Sequence, residues 1–291
     1  MSQEDQFIRD NGIYVPHDRP RHRDDEYDEH GFDMLVRMQR HHFWYRGRHR
    51  LLLNVLRKEM SRHMAGAGGL GAIDLGGGCG GWLEYLHAQD AALFRRLALG
   101  DSSLKALTLA EQSVGSFADR FQVDLLAVPW RNEWDVVFLL DVLEHLPDHV
   151  EVMRQAAGSM RPGGLLFVTT PALELFWTYN DEMAKHQRRY CREDFRELAS
   201  QSGLELVRTD YFMFFLSPIL LLNRLLFRPP ASATPEQVRE HAWRSHRIPS
   251  RPVNGLLSGI FALEGALVNA IRFPWGTSIL AVFRKPTENP L

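Results

Sequence analysis

Between residues 73 and 81 the chain reads Ile73-Asp74-Leu75-Gly76-Gly77-Gly78-Cys79-Gly80-Gly81, an apolar run closed by a glycine turn. The run predicts a short strand, and Gly81-Trp82-Leu83-Glu84-Tyr85-Leu86 predicts the helix that follows it. Glycines at such a junction permit positive φ and let a ligand approach the backbone closely. Outward from this turn the rhythm repeats. Residues 95–101 and 120–126 read as strands, with a helix over 103–114 between them. Residues 134–146 (WDVVFLLDVLEHL) form an apolar strand that ends in acids and an imidazole. A helix over 149–160, a turn at 161–164 and a strand at 165–171 come next. Strand and helix alternating at this spacing imply parallel strands joined by crossover helices, and strands as apolar as VVFLL are buried on both faces.

The 291 residues carry 34 Lys and Arg against 36 Asp and Glu, for a net charge of −2, with 45% apolar residues. That balance excludes a disordered chain and offers no basic field for nucleic acid, so no nucleic-acid partner is expected. The two cysteines, Cys79 and Cys191, cannot make a disulfide framework. The beginning of the chain, MSQEDQFIRDNG, has no apolar core of a signal peptide, so a cytoplasmic protein is expected. Residues 1–32 are polar and read as a solvated tail, with an arm folded over a ligand as the other reading. His17, His22, His30, His41 and His42 fit no metal-ligand spacing, and no metal is expected.

The glycines alone do not choose a ligand, because Gly76, Gly78 and Gly81 also satisfy the dinucleotide pattern G-x-G-x-x-G. The acids around them help. Asp74 stands inside the strand, two residues before the turn, where a carboxylate suits a cationic ligand better than a pyrophosphate. Asp101 ends the next strand, where it can accept two ribose hydroxyls, and Asp124 ends the third, within reach of an adenine amine. Taken singly, either also reads as an ordinary helix cap.

The order I-D-L-G-G-G-C-G (73–80), G-D-S-S (100–103), V-D-L-L (123–126), W-D-V-V-F-L-L-D-V-L-E-H-L (134–146) and R-P-G-G-L-L-F-V-T-T-P (161–171) resembles class I S-adenosylmethionine methyltransferases. Gly77 and Cys79 fill the two variable places of that family's first motif. H-F-W-Y-R-G-R at 42–48, D-E-x-x-x-H-x-R-R-Y at 181–190 and W-G-T-S-I-L-A-V-F-R-K-P at 275–286 look like a bacterial, type 11/12-like branch of it. The resemblance implies an α/β, Rossmann-like, doubly wound sheet of seven strands, the last antiparallel. It implies an N-terminal helical cap over 1–64, a cofactor-binding core over 65–211, an apolar helical insert over 212–274, and the final strand and tail over 275–291.

It also implies roles. Gly76, Gly78 and Gly80 would pass under the methionine part of S-adenosylmethionine, and Asp74 would hold that end. Asp101, with Ser102, would bind the ribose. Asp124 and Leu125 would meet the adenine, and Leu140 and Asp141 would face the sulfonium. Arg48 and Trp44 in the cap would close over the site, Arg48 meeting the cofactor carboxylate.

Methyl transfer from a sulfonium to a hydroxyl or amine is an in-line displacement, which asks for alignment and for a base. His145, after the fourth strand, is the first candidate base, with Glu144 shaping the site beside it. His186 is the second. Arg188 and Arg189 suit an anionic group on the acceptor, or else anchor to Asp181 and Glu182. Trp177, Tyr179 and Tyr190 are expected to wall the pocket. The stretch 211–227 is the most apolar in the chain. It reads as a buried or groove-lining helix pair, with contact to a membrane surface as the other reading. The leading expectation is a methyltransferase acting on a small or lipid-like acceptor at oxygen or nitrogen. The alternatives are an S-adenosylmethionine cyclase that releases methylthioadenosine, a nicotinamide oxidoreductase, and a non-catalytic binding module.

Overall fold

The computed structural model describes residues 6–20, 31–66, 68–226, 234 and 247–287. Its strands are β1 (Phe7–Asp10), β2 (Ile13–Pro16), β3 (Gly71–Leu75), β4 (Arg96–Asp101), β5 (Ala118–Gln122), β6 (Trp134–Leu140), β7 (Met160–Pro171), β8 (Glu205–Phe212) and β9 (Ser278–Arg284). They form one sheet in the order β1-β2-β5-β4-β3-β6-β7-β9-β8. From β5 to β7 the neighbours are parallel, and β9 runs antiparallel to both β7 and β8.

Nine strands replace the seven expected. The additional two come from residues read as a solvated tail. Asn11 and Gly12 both take positive φ, at 49° and 79°, and reverse the chain between β1 and β2. Ile13 and Val15 are buried while the residues between and beside them are partly exposed, so a half-buried strand is cut from a polar sequence. β2 then pairs with β5 and extends the sheet.

The sheet is covered on both faces. Along β6, Val136, Phe138 and Leu140 point into one core with Leu51, Leu52, Val55, Trp82 and Leu83. Val137 and Leu139 point into the other, with Val152, Met153, Ala156, Phe195 and Leu198. The first core lies under α2 (Phe43–His63) and α3 (Gly81–Gln89), the second under α6 (His149–Ser159) and α8 (Arg192–Ser202). Before α2 comes α1 (Phe32–His41), and α4 (Leu104–Leu109) and α5 (Glu111–Val114) follow β4. The helical cap expected within 1–64 is two helices, broken at His42. This residue is extended (φ −73°, ψ 135°), and its ring nitrogen accepts from Trp44 N at 3.2 Å. An imidazole serving as N-cap starts α2 afresh.

Between β8 and β9 lie α9 (Ser217–Leu226) and α10 (Arg251–Leu267); residues 227–233 and 235–246 of that insert are outside the described residues. The α10 helix packs along α2. Asn254 accepts from Phe43 N and donates to His41 O, both at 2.9 Å, and so pins the junction of α1 and α2. Lys58 Nζ donates to Asn269 O at 2.9 Å further along. At the closest point a Cβ on Gly47 would fall inside the Phe261 ring, which is fully buried. Gly47→Ala is therefore expected to destabilise the fold by about 1–3 kcal/mol, the range for overpacking. Chemical denaturation should show the loss, and Gly47→Ala in a Phe261→Leu background should cost less than the two changes summed.

Candidate active site

The turn after β3 is built from backbone. Gly76, Gly78 and Gly80 have φ of 73°, 56° and 77°, a region closed to most side chains. Gly76 N donates to Gly100 O at 2.7 Å, which ties the turn to β4. A Cβ on Gly76 would stand 2.8 Å from Val142, so the ends of β3 and β6 approach more closely than a side chain allows. Gly80 is the left-handed residue that opens α3, with its missing Cβ facing Val114 rather than the cavity.

Over this turn lies a cavity of about 990 Å³. Asp74, Gly76, Gly78, Asp101, Ser102 and Asp124 line it, together with Leu125, Leu140 and Asp141. Arg48 and Trp44 enter from α2, and Glu144, His145, Tyr179, His186 and Arg189 close the far side. Trp177, Arg188 and Tyr190 lie outside the lining. Tyr190 is buried in the core, its hydroxyl bonded to Leu143 O and to His149 Nδ1 at 3.1 and 2.8 Å. Arg188 donates to Pro147 O at 3.1 Å. Arg189 grips Asp181 with two nitrogens, at 2.8 and 3.0 Å, and also donates to Ala172 O. The guanidinium pair read as an acceptor clamp is engaged by the protein itself.

Three acids behave differently around the turn. The carboxylate of Asp101 accepts from Gly78 N and Ser103 N, both at 2.9 Å, so it shapes the turn as well as facing the cavity. Asp124 accepts from Leu126 N at 2.9 Å. Asp74 is buried, and its Oδ1 has no hydrogen-bond partner. Burial raises its pKa to about 7; the charge of Arg48 opposes the rise, and Asp101 and Asp141 add to it.

Arg48, expected at the cofactor, also makes a link that the sequence does not show. Its guanidinium pairs with Asp141, which itself sits at φ 58° and accepts from Thr169 Oγ1 at 3.2 Å. The rings of Trp44 and Tyr45 lie 4.8 and 5.3 Å from the same guanidinium carbon. His49, buried behind it, has its pKa pushed well down by burial and by Arg48. The cap is thus tied to the strand end beneath the cavity.

On the far side the His145 and His186 rings meet edge to face at 4.9 Å. His186 Nδ1 lies 2.9 Å from Asp181 Oδ1. Burial would raise the Asp181 pKa, but the His186 bond and the Arg189 charge outweigh it and hold the pKa below the usual carboxylate range. An ionised carboxylate only accepts, so Nδ1 carries the proton and Nε2 is left as the basic nitrogen. Glu144 is buried with one carboxyl oxygen unpartnered, and burial followed by the nearby Asp141 raises its pKa well above the usual value. Glu144, His145 and His186 offer one ligand atom each within 4.8 Å of one another, a spacing that would admit a divalent ion. His186 is 41 residues from His145 in the chain, and only the fold brings them together.

The fold, the glycine turn and the acids on successive strand tips define a class I methyltransferase. The family model described as a methyltransferase domain matches residues 36–209, and the chain belongs to that family. It is an S-adenosylmethionine-dependent methyltransferase. It is 30% identical over 158 residues to the ubiquinone biosynthesis O-methyltransferase of Pseudomonas aeruginosa, an overlap covering 52% of this chain and 68% of that one. The protein of the same name from Bordetella avium is 34% identical over 121 residues, or 40% and 50% of the two chains. In fold, the chain matches the YcgJ protein of Bacillus subtilis with a TM-score of 0.50 at 15% identity, covering 82% of this chain and 99% of that one.

The residues present fit the methyl donor. A side-chain-free cradle, an unpartnered buried carboxyl oxygen on Asp74, and a cavity at the upper end of those that bury drug-sized ligands leave room for donor and acceptor. Asp74 gives a pH signature. Its folded pKa lies above its unfolded value, so between about pH 4 and 7 the native state binds more protons than the unfolded one. Stability without ligand should therefore fall as pH rises through that window. Thermal unfolding of wild type against Asp74→Asn should show the fall in wild type, with the two curves diverging as pH approaches 7.

Proposed function

We propose that the enzyme methylates a hydroxyl of a small, lipid-like acceptor in a cytoplasmic setting, with His186 as the base. The observation that carries this reading is the Asp181–His186 pair opening into the same cavity as the glycine turn. The matched relatives are named O-methyltransferases, which supports oxygen as the acceptor atom over nitrogen. Both cysteines are free thiols, as suits a reducing compartment.

S-adenosylmethionine supplies an activated methyl group on a sulfonium. Gly76, Gly78 and Asp74 are assigned to its amino-acid end, Asp101 and Ser102 to the ribose, Asp124 and Leu125 to the adenine. Arg48 keeps a buried Nε without a hydrogen-bond partner, which supports its assignment to the donor's carboxylate. Leu140 and Asp141 are assigned to the region of the reacting sulfur.

The remaining residues prepare the acceptor. His186 Nε2 takes the hydroxyl proton while Asp181 stabilises the imidazolium that results. His145, edge-on to that ring, fixes its plane. Trp44 and Tyr179 wall the acceptor side, and Leu125 and Leu140 exclude water between the two ligands.

His186→Ala should lower kcat by about 10²–10⁴-fold, the range for a lost general base, while calorimetry shows donor affinity unchanged. Asp181→Asn should shift the acid limb of the pH–rate profile. Asp101→Ala should weaken donor binding by about 10–100-fold, the size of a lost charge-assisted hydrogen bond. Product analysis should show S-adenosylhomocysteine; methylthioadenosine would point to cyclisation instead. Dialysis against a chelator should leave the rate unchanged; a loss restored by a divalent ion would instead make Glu144, His145 and His186 a metal site.

A further inference from the structure

The α10 helix is apolar on two faces. One face, with Phe261 and Gly265, packs on α2. The other is in solvent, yet it presents Val253, Leu256 and Leu263 at 49%, 66% and 57% exposure, with Gly255 and Gly259 between them. A helix that is hydrophobic all round belongs in an apolar environment on both sides. The α9 helix repeats the pattern with Ile219, Leu222 and Leu226 at 57%, 56% and 66%. Ile271, Trp275 and Phe215 continue it at 45%, 44% and 39%. Phe214 and Phe273 stack at 5.1 Å and join these segments to one another. Within the stretch 211–227, whose other reading in the sequence is membrane contact, Leu216 is buried, and most of the exposed apolar residues lie further along α9 and on α10.

Charge says what covers this face. Between residues 213 and 276, Glu264 is the one carboxylate among the described residues, and it is buried against Phe215 N. Arg247, Arg251 and Arg272 are exposed there. In a chain of net charge −2 this stretch is segregated: its exposed residues among those described are uncharged or cationic, and Arg247 stands with Ile219 and Val253 at the cavity. A protein partner or a second copy would be met with mixed charge; an anionic bilayer asks for apolar groups flanked by arginine. Trp275 at the edge is the residue type that prefers the headgroup level. Among the described residues no helix is long and apolar enough to cross a membrane, so the contact is a surface one.

The geometry points to the exposed faces of α9 and α10 as a docking surface for an anionic lipid bilayer, with the mouth of the active-site cavity opening onto it. Ile219 and Val253 belong both to this surface and to the cavity wall, and Leu220, Leu257 and Arg247 line the same mouth. An acceptor dissolved in the bilayer therefore reaches the site along an apolar path. This last point rests on the lipid-like acceptor proposed above; the docking surface does not.

The test is sedimentation of the full chain with phosphatidylcholine vesicles, with and without phosphatidylglycerol. Binding is expected to the anionic vesicles, weakening as salt rises. The pair Leu256→Asp and Leu263→Asp lies outside the cavity lining. It should cut vesicle binding by about tenfold or more, the scale of lost apolar insertion, while donor affinity by calorimetry is unchanged. Ile219→Ser with Leu222→Ser on the other helix should act in the same direction. Arg251→Glu with Arg272→Glu should abolish the preference for anionic lipid. No sedimentation with either vesicle overturns the proposal, as does binding that survives all three double variants. A dimer in solution that the Leu256→Asp, Leu263→Asp pair dissociates also overturns it. Loss of donor binding in wild type would instead sink the methyl-transfer reading and leave the vesicle result standing.

Discussion

The site depends on a stretch of chain that must carry no side chain. Gly76 passes within reach of Val142, and Gly78 donates its N–H to Asp101. Side chains of neighbouring segments converge on the turn, Val142 at Gly76 and Leu35 at Gly78, where a Cβ would press on them. This convergence explains the acids. A carboxylate at the tip of β4 is the natural acceptor for a turn N–H that no helix or strand can satisfy. Asp101 thus holds the turn and faces the cavity at once. Asp74, with one oxygen unpartnered under burial, is the group whose state a cationic ligand would change.

The cap and the insert act on this floor together. The α2 helix delivers Arg48 to Asp141, and α10 holds α2 through Asn254, Phe261 and Asn269. A buried ion pair is costly to desolvate and is weak evidence for stability. Its value here is positional, since Asp141 lies at a left-handed backbone position in the cavity lining. The α2 helix therefore acts as a fixed beam between an apolar surface on one side and a charged floor on the other.

Much of this was legible in residues 70–172, where strand, turn and acid recur in an order few folds share. The β-hairpin was missed although Asn11-Gly12, the strongest short hairpin signal, stood in plain sight; the surrounding charges masked it. The break at His42 was missed because an imidazole is an uncommon helix cap. Arg188 and Arg189 read either as an acceptor clamp or as an anchor to Asp181 and Glu182, because sequence shows charge and not partners. The structure has Arg189 on both oxygens of Asp181 and Arg188 on the Pro147 carbonyl. The His145–His186 contact depends on β6 and β7 placing their loops side by side, which is tertiary information.

The cavity has a polarity that follows from these parts. At the floor lie the glycine turn, Asp74 and the Arg48–Asp141 pair; at the mouth lie Ile219, Leu220, Val253 and Leu257. A ligand that carries a charged amino-acid end and an adenosine satisfies the floor and leaves the mouth empty. The acceptor proposed above would prefer the apolar mouth to water and present its hydroxyl to His186, which lines the same cavity. Methyl transfer along a straight line between two molecules needs the two to approach from opposite ends. A cleft that is ionic at one end and apolar at the other sorts them without further machinery.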